Sequence, residues 1–257
     1  MTLQEQWIAL STIVRKEIVR FTRIWVQTLL PPVITMALYF VIFGTLIGSR
    51  IGQMDGFTYM EFVVPGLIMM SIITNSYSNV VSSFFGVKFQ RSIEEVLVSP
   101  TPNYIILLGY VMGGVTRGLL VGLIVTVVSL FFTDLTIYNI PITISIVFLT
   151  SVVFALAGFF NAVFAKTFDD ISIVPTFILT PLTYLGGVFY SISLLPEFWQ
   201  GVSKLNPILY MVNAFRYGIL GISDINVMSA FLGVMVFIVI LTFICLYLLS
   251  NGTRLRS

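Results

Sequence analysis

The sequence predicts an all-α integral membrane protein with six transmembrane helices, and three observations carry that prediction. Of 257 residues, 58% are hydrophobic and only 9% charged, against roughly 25% charged in a soluble domain. Mean hydropathy is +1.03, with 23 Phe, 11 Tyr and 3 Trp, more apolar side chain than one water-soluble core of this size can hide. The charges are bunched, and the intervals between them match the about 20 residues that a helix needs to cross hydrocarbon.

Six such intervals fall at about 24–47, 62–85, 104–132 (interrupted only by Arg117), 140–164, 171–190 and 227–249. They make one domain, 1–257, with no low-complexity tract and no convincing internal repeat. An even number of spans puts both termini on one side. That side holds Arg15, Lys16, Arg20, Arg23, Lys88, Arg91, Lys166, Arg254 and Arg256, and the other only Arg50, Lys204 and Arg216. The excess of cations makes both termini cytoplasmic. The charged 23-residue segment before the first full-length span is not read as a cleavable signal.

Three segments depart from a plain span. In residues 5–23, Trp7, Leu10, Val14, Ile18, Phe21 and Trp25 recur at steps of three and four, with Glu5, Lys16, Arg20 and Arg23 opposite. This is the pattern of an amphipathic helix at the cytoplasmic interface, basic side toward anionic head groups; the other reading is a basic flank that orients the first span. Between spans two and three, Lys88–Val98 is expected to form a short helix in which Arg91 pairs with Glu94 and Glu95 and Ile93, Val96 and Leu97 make an apolar edge. Spacing leaves it open whether this helix plugs a partner's groove or merely connects. Between spans five and six, residues 191–220 carry a helix start at Pro196-Glu197, then Asn206-Pro207 and an apolar stretch too short to cross. Two short helices dipping into the outer leaflet fit this, over the mouth of any pathway.

Arg117 is the costliest residue, about 2.5–3.5 kcal/mol at a span centre, so it must face protein or water. It could bind an anionic head group or gate, or it could be satisfied by neighbouring Asn, Ser or carbonyl groups. On the same helix, Gly109 and Gly113, and Gly114, Gly118 and Gly122, stand four apart and permit close helix packing, favoured here within one protomer. Span two has Ser71, Asn75, Ser78 and Ser82 on one face, with Thr74 and Asn79 beside it, either polar glue or a wetted surface. Asp169 and Asp170 read as N-cap residues of span five, which Pro175 and Pro181 should bend and Gly186-Gly187 loosen.

Several classes are excluded. Histidine is absent and Cys245 is the sole cysteine, so there is no Ser-His-Asp triad, no His- or multi-Cys zinc site and no internal disulfide. No glycine precedes a lysine, so the phosphate-cradling GxxxxGK[ST] loop is missing. A net charge of +2 does not point to nucleic acid. Acids sit in loops or at span ends, which leaves proton coupling without a carboxylate.

The stretches RIWVQTLLPPVITMALYFVIFG (Arg23–Gly44), VVPGLIMMSIITNSYSN (Val63–Asn79), FQRSIEEVLVSP (Phe89–Pro100), AKTFDDISIVPTFILTPLTYLGGVFYSISLLPEFWQ (Ala165–Gln200) and LNPILYMVNAFRYGILG (Leu205–Gly221) resemble the permease subunits of type-2 ABC exporters, YadH-like permeases in particular. The resemblance spans essentially the whole chain. It implies that 88–98 is a coupling helix docking on a separate ATP-binding subunit through Arg91, Glu94 and Glu95, with Lys166, Asp169 and Asp170 as a second contact. It implies an interfacial helix at 5–23 and re-entrant helices at 191–220. It further implies a homodimer joined through spans one and five, for which Trp25, Leu29, Ile34, Phe177 and Tyr184 are the candidates. Two ATPase subunits would lie below, binding ATP and Mg that this chain does not. The translocation path would run between protomers in the bacterial inner membrane, with Arg117, Asn75, Asn79, Tyr184, Phe189 and Tyr190 as candidate path or gate residues. Spans one and five are aromatic and uncharged, which suits an apolar or amphipathic cargo such as a lipid, lipid-linked glycan or drug. The rivals are a secondary transporter or channel independent of any ATPase, a lipid-acting membrane enzyme, and a scaffold.

Overall fold

The computed structural model describes residues 1–252; Arg254 and Arg256, counted above among the cytoplasmic cations, lie outside the described residues. Helix α1 (Leu3–Arg23) opens with a reciprocal cap, the Thr2 hydroxyl accepting from the Glu5 N–H and the Glu5 carboxylate from the Thr2 N–H. After an elbow at Ile24, α2 (Trp25–Ile51) runs with an interruption at Leu29, before Pro31-Pro32, and a π-helical stretch at Val41–Ile47. There follow α3 (Tyr59–Phe89), α4 (Ile93–Val98), α5 (Asn103–Ser129) and α6 (Ile140–Phe164). Then come α7 (residues 170–184), a 3-10 turn (Ile192–Leu194), α8 (Glu197–Lys204), α9 (Pro207–Leu220) and α10 (Val227–Asn251).

Among the described residues five helices, α2, α3, α5, α6 and α10, are long and apolar enough to cross a membrane. The sixth interval, expected as a span over 171–190, is helical only from Asp170 to Tyr184, with a π-helical turn at Pro175–Leu179. Pro175 and Pro181 supply no backbone N–H to the ladder, and Gly187 turns the chain at φ +70°, so residues 185–190 are turns rather than helix. The fold is also not purely helical. Gln53–Met54 and Phe57–Thr58 pair as a hairpin, β1–β2, around Asp55-Gly56 with φ of 52° and 84°. Asp-Gly with two positive φ angles is the two-residue turn that matches strand twist.

α3 is the central post. Its apolar window is 83% buried against 12% for α2, and it packs on α5, α6 and α9. Glycines set these approaches: Gly114, Gly118 and Gly122 of α5 lie against Val80, Ser76 and Ile72 of α3, and Gly109 and Gly113 against Ile13 and Glu17 of α1. Both glycine series are therefore used inside the chain. The pairings Tyr104–Gln6, Gly109–Ile13 and Gly113–Glu17 advance together, so α1 runs alongside the first three turns of α5. The chosen inner face is Ile13, Glu17 and Phe21, and Trp7 of the predicted apolar stripe points away, 69% exposed. α9 is a core helix ending on Gly221 at φ +77°, and its last carbonyls accept from the N–H groups of Tyr138 and Asn139.

The tightest backbone approach generates a prediction. A Cβ on Gly158 of α6 would come within 2.5 Å of the Tyr77 carbonyl oxygen, and backbone cannot step aside as a side chain can. Gly158→Ala should destabilise the detergent-purified chain by about 1–3 kcal/mol. Gly233→Ala, with nothing within 4 Å, should stay within about 0.5 kcal/mol in the same thermal unfolding assay.

Candidate coupling face and translocation surface

The loop between α3 and α5 differs from the helix expected at 88–98. Lys88 and Phe89 complete α3, Gln90–Ser92 turn, and only Ile93–Val98 is a second helix. Arg91 sits in the turn at φ +60°, off the helix axis, and makes no ion pair with Glu94 or Glu95 among the described residues. The expected apolar edge is present: Ile93 is buried and Val96 and Leu97 pack on the core, which leaves Glu94, Glu95 and Arg91 exposed. Lys88 points the other way, its Nζ donating to the carbonyls of Val163 (2.5 Å) and Ala165 (2.8 Å) at the end of α6. Phe168 then packs on Phe85 and Phe89, both at 5.0 Å, and so the Lys166–Asp170 loop joins α4 at one end of the bundle. In that loop Thr167, not Asp169, is the cap: its hydroxyl accepts from the Asp170 N–H, while Asp170 accepts from the N–H groups of Lys166 and Thr167. These two N–H bonds hold the Asp170 carboxyl below its ordinary range. A groove of about 340 Å³ between α1 (Ala9, Thr12, Ile13) and the α4 end (Glu95, Val96, Ser99) adjoins this face.

The polar face of α3 is resolved by its partners. The buried stripe is Ser71, Asn75, Asn79 and Ser83, each one turn from the next, while Thr74 and Ser82 face outward and Ser78 is half-buried. Arg117 donates from Nη2 to Asn75 Oδ1 and to the Thr28 carbonyl, both at 3.1 Å, so neighbouring Asn and backbone groups meet one edge of it, while its Nε is buried without a hydrogen-bond partner among the described residues. One turn along, Arg20 donates to Asn79 Oδ1 (2.9 Å) and to the Asn79 carbonyl (3.0 Å). Arg20 was expected on the head-group side of α1; it turns inward because Glu17 is there. Glu17 is fully buried, pairing with Arg20 at 3.2 Å and accepting from Ser83 Oγ at 2.6 Å. A buried acid therefore exists among the helices, contrary to the reading that acids lie only in loops or at span ends. Ile13, Glu17 and Phe21 stand four apart, an acid between two core positions, and that spacing was the available signal.

The six candidate path residues do not form one site. Arg117 and Asn75 touch, and Asn79 joins them through its place on α3. Tyr184 and Phe189 lie near Tyr59, at the far end of α3, about 24 Å from Asn75 at 1.5 Å per residue. There Phe189 packs with Phe43 (4.7 Å), Tyr184 (5.6 Å) and Tyr39 (6.3 Å), and its carbonyl accepts from the Tyr59 hydroxyl at 3.2 Å. Tyr190 is half-buried in the following turn. Of the candidate dimer residues, Trp25, Ile34, Phe177 and Tyr184 are exposed and Leu29 is half-buried against the core. Arg216, read as an outer flanking charge, is instead buried to 1% exposure in α9.

Residues 8–220 match the family model described as ABC-2 type transporter. The inner membrane transport permease YadH of Escherichia coli (strain K12) is 63% identical over 251 residues, 98% of each chain. More distantly, nodulation protein J of Rhizobium meliloti (strain 1021) is 24% identical over 84% of this chain and 81% of its own length.

The Glu17–Arg20 pair supports a stability prediction. Arg20→Ala would leave a buried carboxylate with Ser83 alone, and should cost about 2–3 kcal/mol, less than the ~3–5 kcal/mol of a fully buried pair because Arg20 is 29% exposed. The double variant Glu17→Gln/Arg20→Gln should recover part of that loss in thermal unfolding, since no unpaired charge remains.

Proposed function

The chain belongs to the ABC-2 type transporter family, and from that premise we propose that it is the membrane-spanning permease of an ATP-driven exporter in the bacterial inner membrane. Two copies form the path and two copies of a separate ATP-binding subunit, which hold ATP and Mg, drive it. In this reading six segments span, with α7 as the short sixth span bent at its π-helical turn, and both termini are cytoplasmic. α1 serves as the interfacial helix, and α8 and α9 as the re-entrant pair over the outer mouth.

The observation that carries the coupling assignment is the arrangement of α4. A six-residue helix anchored by Ile93, Val96 and Leu97 presents Glu94 and Glu95 outward beside Arg91 and the Lys166–Asp170 loop. An anchored helix with an exposed charged edge transmits force from a partner to α3 and α5, which it joins. The homodimer reading is supported by the exposure of Trp25, Ile34, Phe177 and Tyr184 on the two least buried segments. With the polar stripe of α3 largely occupied by Arg20 and Arg117, the surface left for cargo is the apolar and aromatic one on α2 and α7, with outward Thr74 and Ser82. Such a surface suits an amphipathic or apolar molecule.

Glu94→Ala/Glu95→Ala should abolish recovery of the ATPase in a tagged pull-down from gently solubilised membranes, with membrane insertion intact. Native mass of the unsubstituted complex should give two permeases with two ATPase subunits. A permease recovered alone, from membranes in which other such complexes survive, would return the ATPase-independent transporter or channel to first place.

A further inference from the structure

At the end of the bundle opposite α4 lies a cavity of about 510 Å³ lined by Asp55, Phe62, Ser193, Asn213, Arg216 and Asp224, among others. Its charges are unusual. The Arg216 guanidinium is fixed from three directions: Nη2 donates to the Gly187 carbonyl at 2.6 Å, Nε to the Phe62 carbonyl at 3.4 Å, and the Phe62 ring lies 3.9 Å beneath. Its Nη1 is buried with no hydrogen-bond partner among the described residues. A buried charged donor left unmade is costly, and neighbouring side chains do not supply the acceptor. Asp224 is engaged by the Ser191 hydroxyl (2.6 Å) and the Ile192 N–H (3.2 Å), and Asn213 by the Asp224 N–H and the Leu209 carbonyl. Asp55, held at the hairpin tip by its left-handed turn, makes no hydrogen bond or ion pair among the described residues.

We propose that this cavity binds a phosphoethanolamine-type zwitterion, free or as a lipid head group, with its oxyanion on Arg216 Nη1 and its ammonium on Asp55. A bare anion would meet two acids against one arginine, and a bare cation would leave Nη1 unpaired. A ligand carrying both charges satisfies the cavity. Phe62 and Ile222 give it an apolar wall for the carbon skeleton next to the phosphate. The site is independent of the permease reading, because binding is measured on this chain alone.

The test titrates the purified full chain calorimetrically with O-phosphoethanolamine, inorganic phosphate and ethanolamine. In parallel, native mass reads retention of phosphatidylethanolamine against phosphatidylglycerol after extraction from nanodiscs of the two. Phosphoethanolamine should bind about tenfold tighter than phosphate, and Asp55→Asn, an exposed and structurally mild change, should remove that preference. Arg216→Lys should weaken both ligands about tenfold; should it fail to fold, the Asp55→Asn comparison decides. Selective retention of phosphatidylethanolamine that Asp55→Asn abolishes, without binding of the soluble head group, would identify the lipid as the source and support the proposal. Two results would overturn it: equal binding of phosphate and phosphoethanolamine by the unsubstituted chain, or no binding with no selective lipid retention.

Discussion

Two arginines reading two asparagines one helical turn apart hold this structure together. Asn75 and Asn79 project from one face of α3, and Arg117 of α5 and Arg20 of α1 each reach one of them. The same two arginines take up backbone carbonyls of Thr28 and Asn79, and Thr28 donates its hydroxyl to the Phe21 carbonyl at 2.8 Å, closing the elbow between α1 and α2. Away from water each of these groups would be costly alone, so the network fixes one register between α1, α3 and α5. The glycines of α5 then allow backbone approach on both sides of it, toward α1 and toward α3.

This clasp connects the α4 end to the middle of the bundle. α3 and α5 flank α4, so a push on α4 acts on both helices at once, and α1 is locked to the same pair by Glu17, Arg20 and Ser83. Lys88 and Phe168 add the Lys166–Asp170 loop, and through it α7. Two loops and one amphipathic helix thus form a single charged face on a rigid three-helix block.

Against that block, α2 and α7 are held lightly. α2 is attached at the elbow and, at its other end, by the aromatic cluster of Tyr39, Phe43, Phe189 and Tyr184. Met36 and Phe40 in its middle are buried, Phe40 against Phe132 at 5.6 Å, but its outward side is exposed, and both α2 and α7 contain π-helical turns, where the i→i−4 ladder is already interrupted. In the proposed dimer, a helix pair exposed on one side and interrupted by π-helical turns is where a path between two protomers would open without disturbing the core.

Much of this was legible along the chain. Long uncharged intervals bounded by charge, the cap signals at Pro196-Glu197 and Asn206-Pro207, and the close-packing glycines depend on local composition and helical spacing, and apart from the shortened 171–190 interval the helices lie where those predict. The Asp55-Gly56 hairpin was written there too, as a two-residue turn signal. What only packing decided was the orientation and depth of individual charges. Arg20 turned inward because Glu17 lies one turn away on the same face, Arg91 left its helix through a left-handed turn, and Arg216 vanished into α9 because the carbonyls of Phe62 in α3 and of Gly187 in the following turn converge on it. A buried charge is stable only where partners distant in sequence meet it, Asn79 with Arg20 and Gly187 with Arg216, and no local pattern records such a meeting. Helical periodicity is set residue by residue; the satisfaction of a charge belongs to the assembled fold.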